Sequence, residues 1–242
     1  MSGIGFNIGN AVVAIQLSLL WQYVYRYTPF EVSLGQLPFI AACIVAASWA
    51  GGLVARGVAM RLMIPGGLVA MAAALAAMAF AGEKTPYLVF VVPLVVAGIG
   101  MMLTQAPAAN VFVAKPPPAL VGAIGSSRTA FGQFGFALGL ALSSSLIYGM
   151  FSPLLRQRLD HAGATPGEQA QAIGILQSYV QTGNTDRFDA KLVHEVIANG
   201  TTAYLSSYRV TMLVMAGLII LIAVLSYWIL ARKKRAVASD AE

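Results

Sequence analysis

Residues 115–149 read KPPPALVGAIGSSRTAFGQFGFALGLALSSSLIYG, a stretch that is apolar enough to enter a lipid bilayer. About 20 apolar residues cross a hydrocarbon core about 30 Å thick, so the stretch predicts a membrane-spanning helix. Its glycines, alanines and serines are the residues that let helices approach closely in membranes. Apart from Lys115 at its start, the stretch contains one charged side chain, Arg128, whose place in such a helix needs an explanation.

The rest of the chain has the same apolar character. Of its 242 residues, 58% are hydrophobic and only 10% are charged, and the mean hydropathy is +0.76, whereas a soluble domain carries about 25% charged residues. Such long apolar runs exclude a transmembrane barrel, whose strands are short and alternate in polarity. We therefore predict an all-α polytopic membrane protein with six transmembrane helices. The six runs cover roughly residues 4–25, 34–55, 62–81, 86–113, 118–150 and 208–231.

The basic residues indicate how these helices are oriented. Arg56, Arg61 and Lys115, together with the basic run at 232–235, fall on one side of the membrane if the six helices alternate in direction. The positive-inside rule makes that side cytoplasmic. We therefore expect a multi-pass protein of a cell membrane, such as a bacterial inner membrane, with both termini in the cytoplasm.

This topology divides the chain into four parts. Transmembrane helices one to five occupy residues 1–151, and residues 152–205 form an extracytoplasmic loop. Helix six occupies 206–231, and a basic cytoplasmic tail occupies 232–242. Within the loop, TPGEQAQAIGILQSYVQTG and DAKLVHEVIANGTTAYLSSYRVTMLV predict short amphipathic helices.

The chain carries no pattern of a catalytic or metal site. His161 and His194 lie in the long loop, and Cys43 is the only cysteine. We find no cluster of His, Cys, Asp and Glu with metal-ligand spacing, and no phosphate-binding loop. The net charge is +6, but the basic residues form no patch with interleaved aromatics, which excludes nucleic acid as a partner. We expect no enzyme activity, no cofactor and no metal.

Helix one carries a polar stripe. At 100° per residue, six of its side chains fall within about 120° of one another. They are Asn7, Asn10, Ser18, Trp21, Gln22 and Tyr25. Such a stripe either hydrogen-bonds to neighbouring helices or lines a water-filled cavity. Because it runs nearly the full length of the helix, we favour a substrate cavity and expect all of them except Tyr25 to line it.

Helix four offers a second wall for such a cavity. Five of its residues recur at steps of three and four and share one face of the helix. They are Gly98, Met101, Gln105, Ala108 and Phe112. Methionine adapts to varied ligands, which suits a binding wall, although a face of Met and Phe is also typical of ordinary packing. We take Met101 and Gln105 as candidate cavity residues.

Polarity repeats along the chain with a period of three helices. Helices one and four are polar, two and five are rich in small residues, and three and six are apolar. This period is typical of the repeated halves of transporter folds.

Four stretches carry a family resemblance. YRYTPFEVSLGQLPF follows helix one, GGLVARGVAMR lies between helices two and three, and a long loop precedes helix six. The fourth is a pattern of Pro117, Pro118, Gly122, Gln133, Gly135 and Gly139. Together they make the chain resemble the C-terminal half of a major facilitator superfamily transporter, most closely the 14-helix drug:proton antiporter family. Gly51, Arg56 and Arg61 resemble a remnant of that superfamily's gating loop.

The resemblance implies one half of a major facilitator fold, built as a 3+3 inverted repeat. Its implied function is multidrug or small-molecule efflux by alternating access, with a small hydrophobic or cationic substrate. An N-terminal half, as a separate chain or a missing segment, or else a homodimer, would complete the pathway. None of the nine acidic residues lies in a predicted span, so we expect the proton site in that other half. The alternative is a non-transporting six-helix membrane scaffold or assembly subunit.

The spacing around Arg128 suggests why the opening stretch contains a charge. Residues 125, 128, 132, 135 and 139 step by three and four, so Arg128 shares one face with Gly125, Gly132, Gly135 and Gly139. We expect these glycines to pack against another helix and Arg128 to point into the substrate cavity or the interface between halves. The alternative is that it snorkels to the headgroups.

Overall fold

The computed structural model describes residues 2–113, 121–182 and 188–239, and within these ranges the chain is helical and has no strand. The first half contains α1 (Ser2–Ala11), a π-helical segment (Val12–Gln16), α2 (Leu17–Tyr23), α3 (Pro29–Gly35), α4 (Leu37–Ala55) and α5 (Met60–Met78). The second half contains α6 (Leu88–Val113), α7 (Val121–His161), α8 (Pro166–Thr182) and α9 (Ala190–Ser239).

Six helical stretches in the described part of the chain are long and apolar enough to cross a membrane. They are Ile4–Tyr23, Pro29–Ala55, Met60–Met78, Leu88–Ala109, Gly125–His161 and Ala190–Ala231. The prediction of an all-α polytopic membrane protein is therefore confirmed. Lys115, Pro117 and Pro118 lie outside the described residues, as do the last three residues of the predicted tail.

The first span occupies the centre of the bundle. It packs against α5, α6, α7 and α9, while α4 packs against α6 on the outside. The core around it consists of fully buried side chains from most of the spans. They include Leu17, Leu20, Trp21, Leu68, Met71, Leu75, Leu94, Tyr208 and Met212. A helix in this central position must satisfy all its polar side chains within the protein.

Glycines bring α5 and α6 into backbone contact. A Cβ atom added at Gly67 would lie 2.5 Å from the carbonyl oxygen of Gly100, and one added at Gly100 would lie 2.5 Å from that of Gly67. A Cβ at Gly98 would lie 2.7 Å from the carbonyl oxygen of Phe39 in α4. Small residues allow this close approach of helices in membranes. Gly98, which sequence spacing puts on the same face as Met101, thus packs against α4.

The long loop predicted at 152–205 takes a different form. Helix α7 continues without a break to His161, and α9 already begins at Ala190, so the boundaries predicted after 151 and 205 both fall inside helices. Only α8 is a separate short helix, as predicted for the first amphipathic stretch. The physical reason is a second core, in which apolar residues of α7, α8 and α9 pack together beyond the bundle. Its buried members are Leu155, Leu159, Ala172, Ile175, Val196 and Ala203.

Candidate functional site

The polar side chains of the first span face in two directions. The π-helical segment at Val12–Gln16 adds a residue to the turn between α1 and α2, and such segments occur often at functional sites. A projection at a constant 100° per residue cannot represent this change of register. The residues before the segment and those after it therefore contact different neighbours.

On one side, α2 borders a polar cleft beneath α3. Gln36, between α3 and α4, donates a hydrogen bond from Nε2 to Ser18 Oγ at 2.7 Å, and the Ser18 hydroxyl donates to the carbonyl of Ala14. The cleft has a volume of about 390 Å³. Its lining comprises Ser18, Gln22, Pro29, Val32, Ser33, Gln36 and Ile40. It combines hydroxyl and amide groups with an apolar floor, as ligand sites commonly do.

The cleft is held in shape by the start of α3. Thr28 Oγ1 accepts from the backbone N–H of Glu31 at 3.3 Å, and the Glu31 carboxylate accepts from the backbone N–H of Thr28 at 2.7 Å. This reciprocal capping box, with Pro29 in the first turn, fixes the direction in which α3 leaves the turn. The position of Gln36 opposite Ser18 follows from that direction.

On the other side, Gln16 lies between the first span and α7. Its side chain is 1% exposed, and Nε2 donates to Ser143 Oγ at 2.8 Å and to Ser144 Oγ at 3.3 Å. The Oε1 atom is buried and has no hydrogen-bond partner in the described part of the chain. An unpartnered buried carbonyl is unfavourable by about 1–3 kcal/mol, so this amide is poised to accept a hydrogen bond.

Sequence reasoning missed Gln16. On an ideal helix it lies about 180° from the centre of the polar stripe, so it was not grouped with the other polar residues. The available signal was the glutamine itself, since an amide near the middle of an apolar span is unfavourable in lipid and calls for a partner. The run of serines at 143–145 was an available partner.

Glycines of α7 meet α1 closely. A Cβ at Gly139 would lie 2.8 Å from the Cα and carbonyl oxygen of Ile8, and one at Gly135 would lie 3.0 Å from those of Ile4. A Cβ at Gly132 would lie 3.2 Å from Asn7 Nδ2. The structure thus brings Asn7 and three of the four predicted glycines together. Gly125 is exposed and has no neighbour within 4 Å.

Arg128 lies beyond this contact, between Gly125 and Gly132, and is half-buried. The contacts of α7 with α1 run parallel, from Gly135 opposite Ile4 to Gly139 opposite Ile8. At 1.5 Å per residue, Arg128 is about 10 Å from Gly135 along α7, on the side away from Gly139. Its predicted role in a cavity or an interface stays a prediction.

Trp21 is not a cleft residue. It is 1% exposed and lies in an aromatic cluster, with its ring centroid 5.7 Å from Phe90 and 6.0 Å from Tyr87. A Cβ at Gly35 would lie 2.7 Å from the indole. On an ideal helix Trp21 and Gln22 both fall within the roughly 120° stripe, yet their side chains are about 100° apart. Of the two, only Gln22 lines the cleft.

The remaining predicted residues are spread over the bundle. Asn10, Met101 and Gln105 are half-buried, and Met101 packs against the core. None of the three lines the cleft at α2. Gly51, Arg56 and Arg61 are exposed around the turn between α4 and α5, where Gly57 adopts a φ of 76° that favours glycine.

The chain was compared with known proteins, and no family model matches it. Over 262 aligned residues it is 25% identical to a protein from Streptomyces rimosus described as a tetracycline resistance determinant. The alignment covers 100% of this chain and 74% of that protein. This distant similarity to a resistance determinant, together with the six apolar helices, supports a multi-pass membrane protein.

Proposed function

We propose that this chain is one half of a secondary active transporter that exports small hydrophobic or cationic molecules by alternating access. The observation that carries the proposal is the polar first span at the centre of the bundle, which borders an open cleft lined by Ser18, Gln22 and Gln36. A span used only as a structural support gains nothing from a polar, open face. A transport pathway requires one.

The relative supports export over other means of resistance. A cell resists a drug by destroying it, by protecting its target or by removing it. The first two need a catalytic or binding site in the aqueous phase, whereas removal needs a pathway through the membrane. Six apolar spans suit the third route. Tetracycline is therefore a reasonable first probe for this chain.

The distribution of exposed apolar surface supports the proposal of a half. In the first span, 61% of the most apolar stretch is buried within the protein. The buried share of that stretch is only 11% in Pro29–Ala55 and 22% in Gly125–His161. Their exposed side chains include Ile44, Val45, Trp49, Phe131 and Phe134. Lipid or a second half can cover these faces. We propose an N-terminal half, as a separate chain or segment, or alternatively a second copy, and we place the proton site in that half.

Binding to the purified chain in zwitterionic nanodiscs tests the cleft. We expect tetracycline or the ethidium cation to bind, and Gln36→Leu to weaken binding about tenfold because it removes the donor to Ser18 and one polar wall. Ser48→Leu is the matched control, because Ser48 is exposed on α4 and bonds only to its own helix. If neither probe binds to the unsubstituted chain, the non-transporting scaffold becomes the better explanation.

Expression in an efflux-deficient bacterium tests whether the chain is a half. We expect this chain alone to give no drug export, because alternating access needs two halves around one site. Energy-dependent export of ethidium from liposomes that contain only this chain would refute the need for a different half and would favour a homodimer.

Cysteine labelling tests the proposed orientation. A cysteine at Ala170, exposed on α8, is placed in a Cys43→Ala background. We expect it to react with an impermeant maleimide in intact cells, because the basic residues put the opposite side in the cytoplasm. Reaction only after permeabilisation would mean that the protein is inverted.

A further inference from the structure

The second core creates a concave surface that the transport proposal does not use. Leu155 and Leu159 of α7 pack against Ile175 of α8 and Val196 of α9, which fixes the last turns of α7 beside α9. Next to this core is a pocket of about 450 Å³. Its lining residues are Leu154, Gln157, Arg158, His161, Ala162 and Asn199.

The pocket presents hydrogen-bond donors and no carboxylate. Leu154 and Arg158, and likewise Gln157 and His161, are four residues apart and so share a face of α7. Across the pocket, Asn199 donates one amide N–H to the carbonyl oxygen of Glu195 at 2.9 Å, and its second amide N–H makes no bond within the described residues. One permanent cation thus stands in a concave site with amide and imidazole groups around it.

Arg158 forms no ion pair with a carboxylate in the described part of the chain. It is half-buried, and no carboxylate is among the residues that line the pocket. Acidic side chains of this region accept other hydrogen bonds: Asp160 accepts from the side chain of Gln169, and Asp189 accepts from the backbone N–H of Lys191. Glu168 accepts from the backbone and hydroxyl of Thr165, which lowers the pKa of its carboxyl.

Three carbonyl groups near the end of α7 accept backbone hydrogen bonds. Gly163, at a φ of 80°, allows a Schellman ending in which Ala164 N–H donates to Leu159 O and Gly163 N–H donates to Asp160 O, both at 3.0 Å. Ala162 N–H donates to Arg158 O at 3.0 Å. Basic residues in a last turn also complement the helix dipole, but that role needs no pocket. These hydrogen bonds reduce the negative partial charge at the helix end, and the full positive charge of Arg158 outweighs the roughly half charge of a helix C-terminus.

We propose that this pocket binds a phosphate group, with Arg158 as its principal ligand and Gln157, His161 and Asn199 as further donors. The planar guanidinium pairs with two phosphate oxygens at once, and the floor formed by Leu154 and Ala162 accommodates the apolar remainder of a larger molecule. The group comes either from a free oxyanion or from the headgroup of an anionic lipid.

Two arms of one experiment distinguish these sources. The full chain is placed in phosphatidylcholine nanodiscs at low ionic strength and dialysed against radiolabelled inorganic phosphate. In parallel, the chain is placed in nanodiscs that contain phosphatidylglycerol, in a buffer free of inorganic phosphate. Native mass spectrometry then counts the phosphatidylglycerol molecules that the chain retains. Binding in the first arm identifies a free oxyanion, and binding in the second alone identifies a lipid headgroup.

Substitutions decide whether the pocket is responsible. We expect Arg158→Gln to weaken binding about tenfold or more in the arm that binds, because a charged hydrogen-bond donor is lost. Arg158→Lys keeps the charge but loses the paired N–H donors of the guanidinium. We therefore expect its affinity to lie between that of the unsubstituted chain and that of Arg158→Gln.

Arg156→Gln is the matched control, since Arg156 is exposed on the same helix outside the pocket. Unchanged helical content by circular dichroism checks that Arg158→Gln folds. Binding in neither arm, or equal loss in the Arg158→Gln and Arg156→Gln variants, overturns the proposal.

Discussion

Helices α7 and α9 take part in both the bundle and the second core, but the two regions differ in which side chains they bury and which they expose. Around the bundle, large apolar side chains such as Ile44 and Phe131 face outward, while Gln16, Thr104 and Ser143 are buried. In the second core the buried side chains are apolar, and Asp160 and Glu168 lie on its exposed side. Lipid gives no hydrophobic driving force for helix association, whereas water does. We therefore expect the membrane surface to cross α7 and α9 between the bundle and the second core.

The largest effect should come from breaking the close contact between α7 and α1. Gly139→Leu places a side chain where even a Cβ would lie 2.8 Å from the backbone of Ile8, so the two helices must separate. We expect a loss of about 3 kcal/mol or more in the free energy of unfolding, measured by SDS titration in mixed micelles. Gly149→Leu is the control on the same helix, because nothing lies within 4 Å of its Cβ position. Equal stability of the two variants would show that the bundle does not depend on this contact.

A cavity in the second core should act locally. Leu159 is 1% exposed, and Leu159→Ala should lower local stability by about 2–5 kcal/mol through lost apolar burial and the cavity left behind. Hydrogen exchange in nanodiscs should then rise in α8 and stay unchanged in α5, whose packing is separate. Ile173→Ala, at an exposed position of α8, should leave both unchanged. A parallel rise in α5 would mean that the two cores unfold together.

The smallest effect concerns the polar contact within the bundle. A double-mutant cycle with Gln16→Leu and Ser143→Ala should give a coupling of about 0.6 kcal/mol, and at most about 1.7 kcal/mol, as for other hydrogen bonds between membrane helices. Gln16→Leu alone should cost little stability, because it also removes the unpartnered Oε1 atom. A coupling of zero would mean that the amide and the hydroxyl do not interact in the membrane.

Hydropathy was sufficient to predict the six spans but not their ends. A span is recognised from its composition, whereas α7 and α9 continue as helices beyond the apolar runs that composition identifies. What holds them there is Leu155 and Leu159 against Val196, a pairing between residues about 40 apart in the chain. Periodicity within one segment does not reveal which distant segment will pack against it.

The candidate site was predicted in part for a similar reason. Ser18 and Gln22 were recognised because the stretch after the π-helical segment is regular. Gln16 was missed because an ideal helix puts it opposite the polar stripe. Trp21 shares the regular stretch with Gln22 but stands about 100° from it and packs among aromatic rings. Gly125 has the spacing of Gly132 and Gly139, but in the described part of the chain nothing lies within 4 Å of a Cβ placed there. Spacing fixes the face of a helix and not what that face meets.

Helix α9 gives the molecule a long lever. It runs 50 residues without a proline, which corresponds to about 75 Å at 1.5 Å per residue. If it stays rigid, a tilt of only about 5° about Ile219 in the bundle would carry Ala190, about 44 Å away, through about 4 Å. A small rocking of the spans would thus be magnified outside the lipid, where spectroscopic labels are easiest to attach and to read.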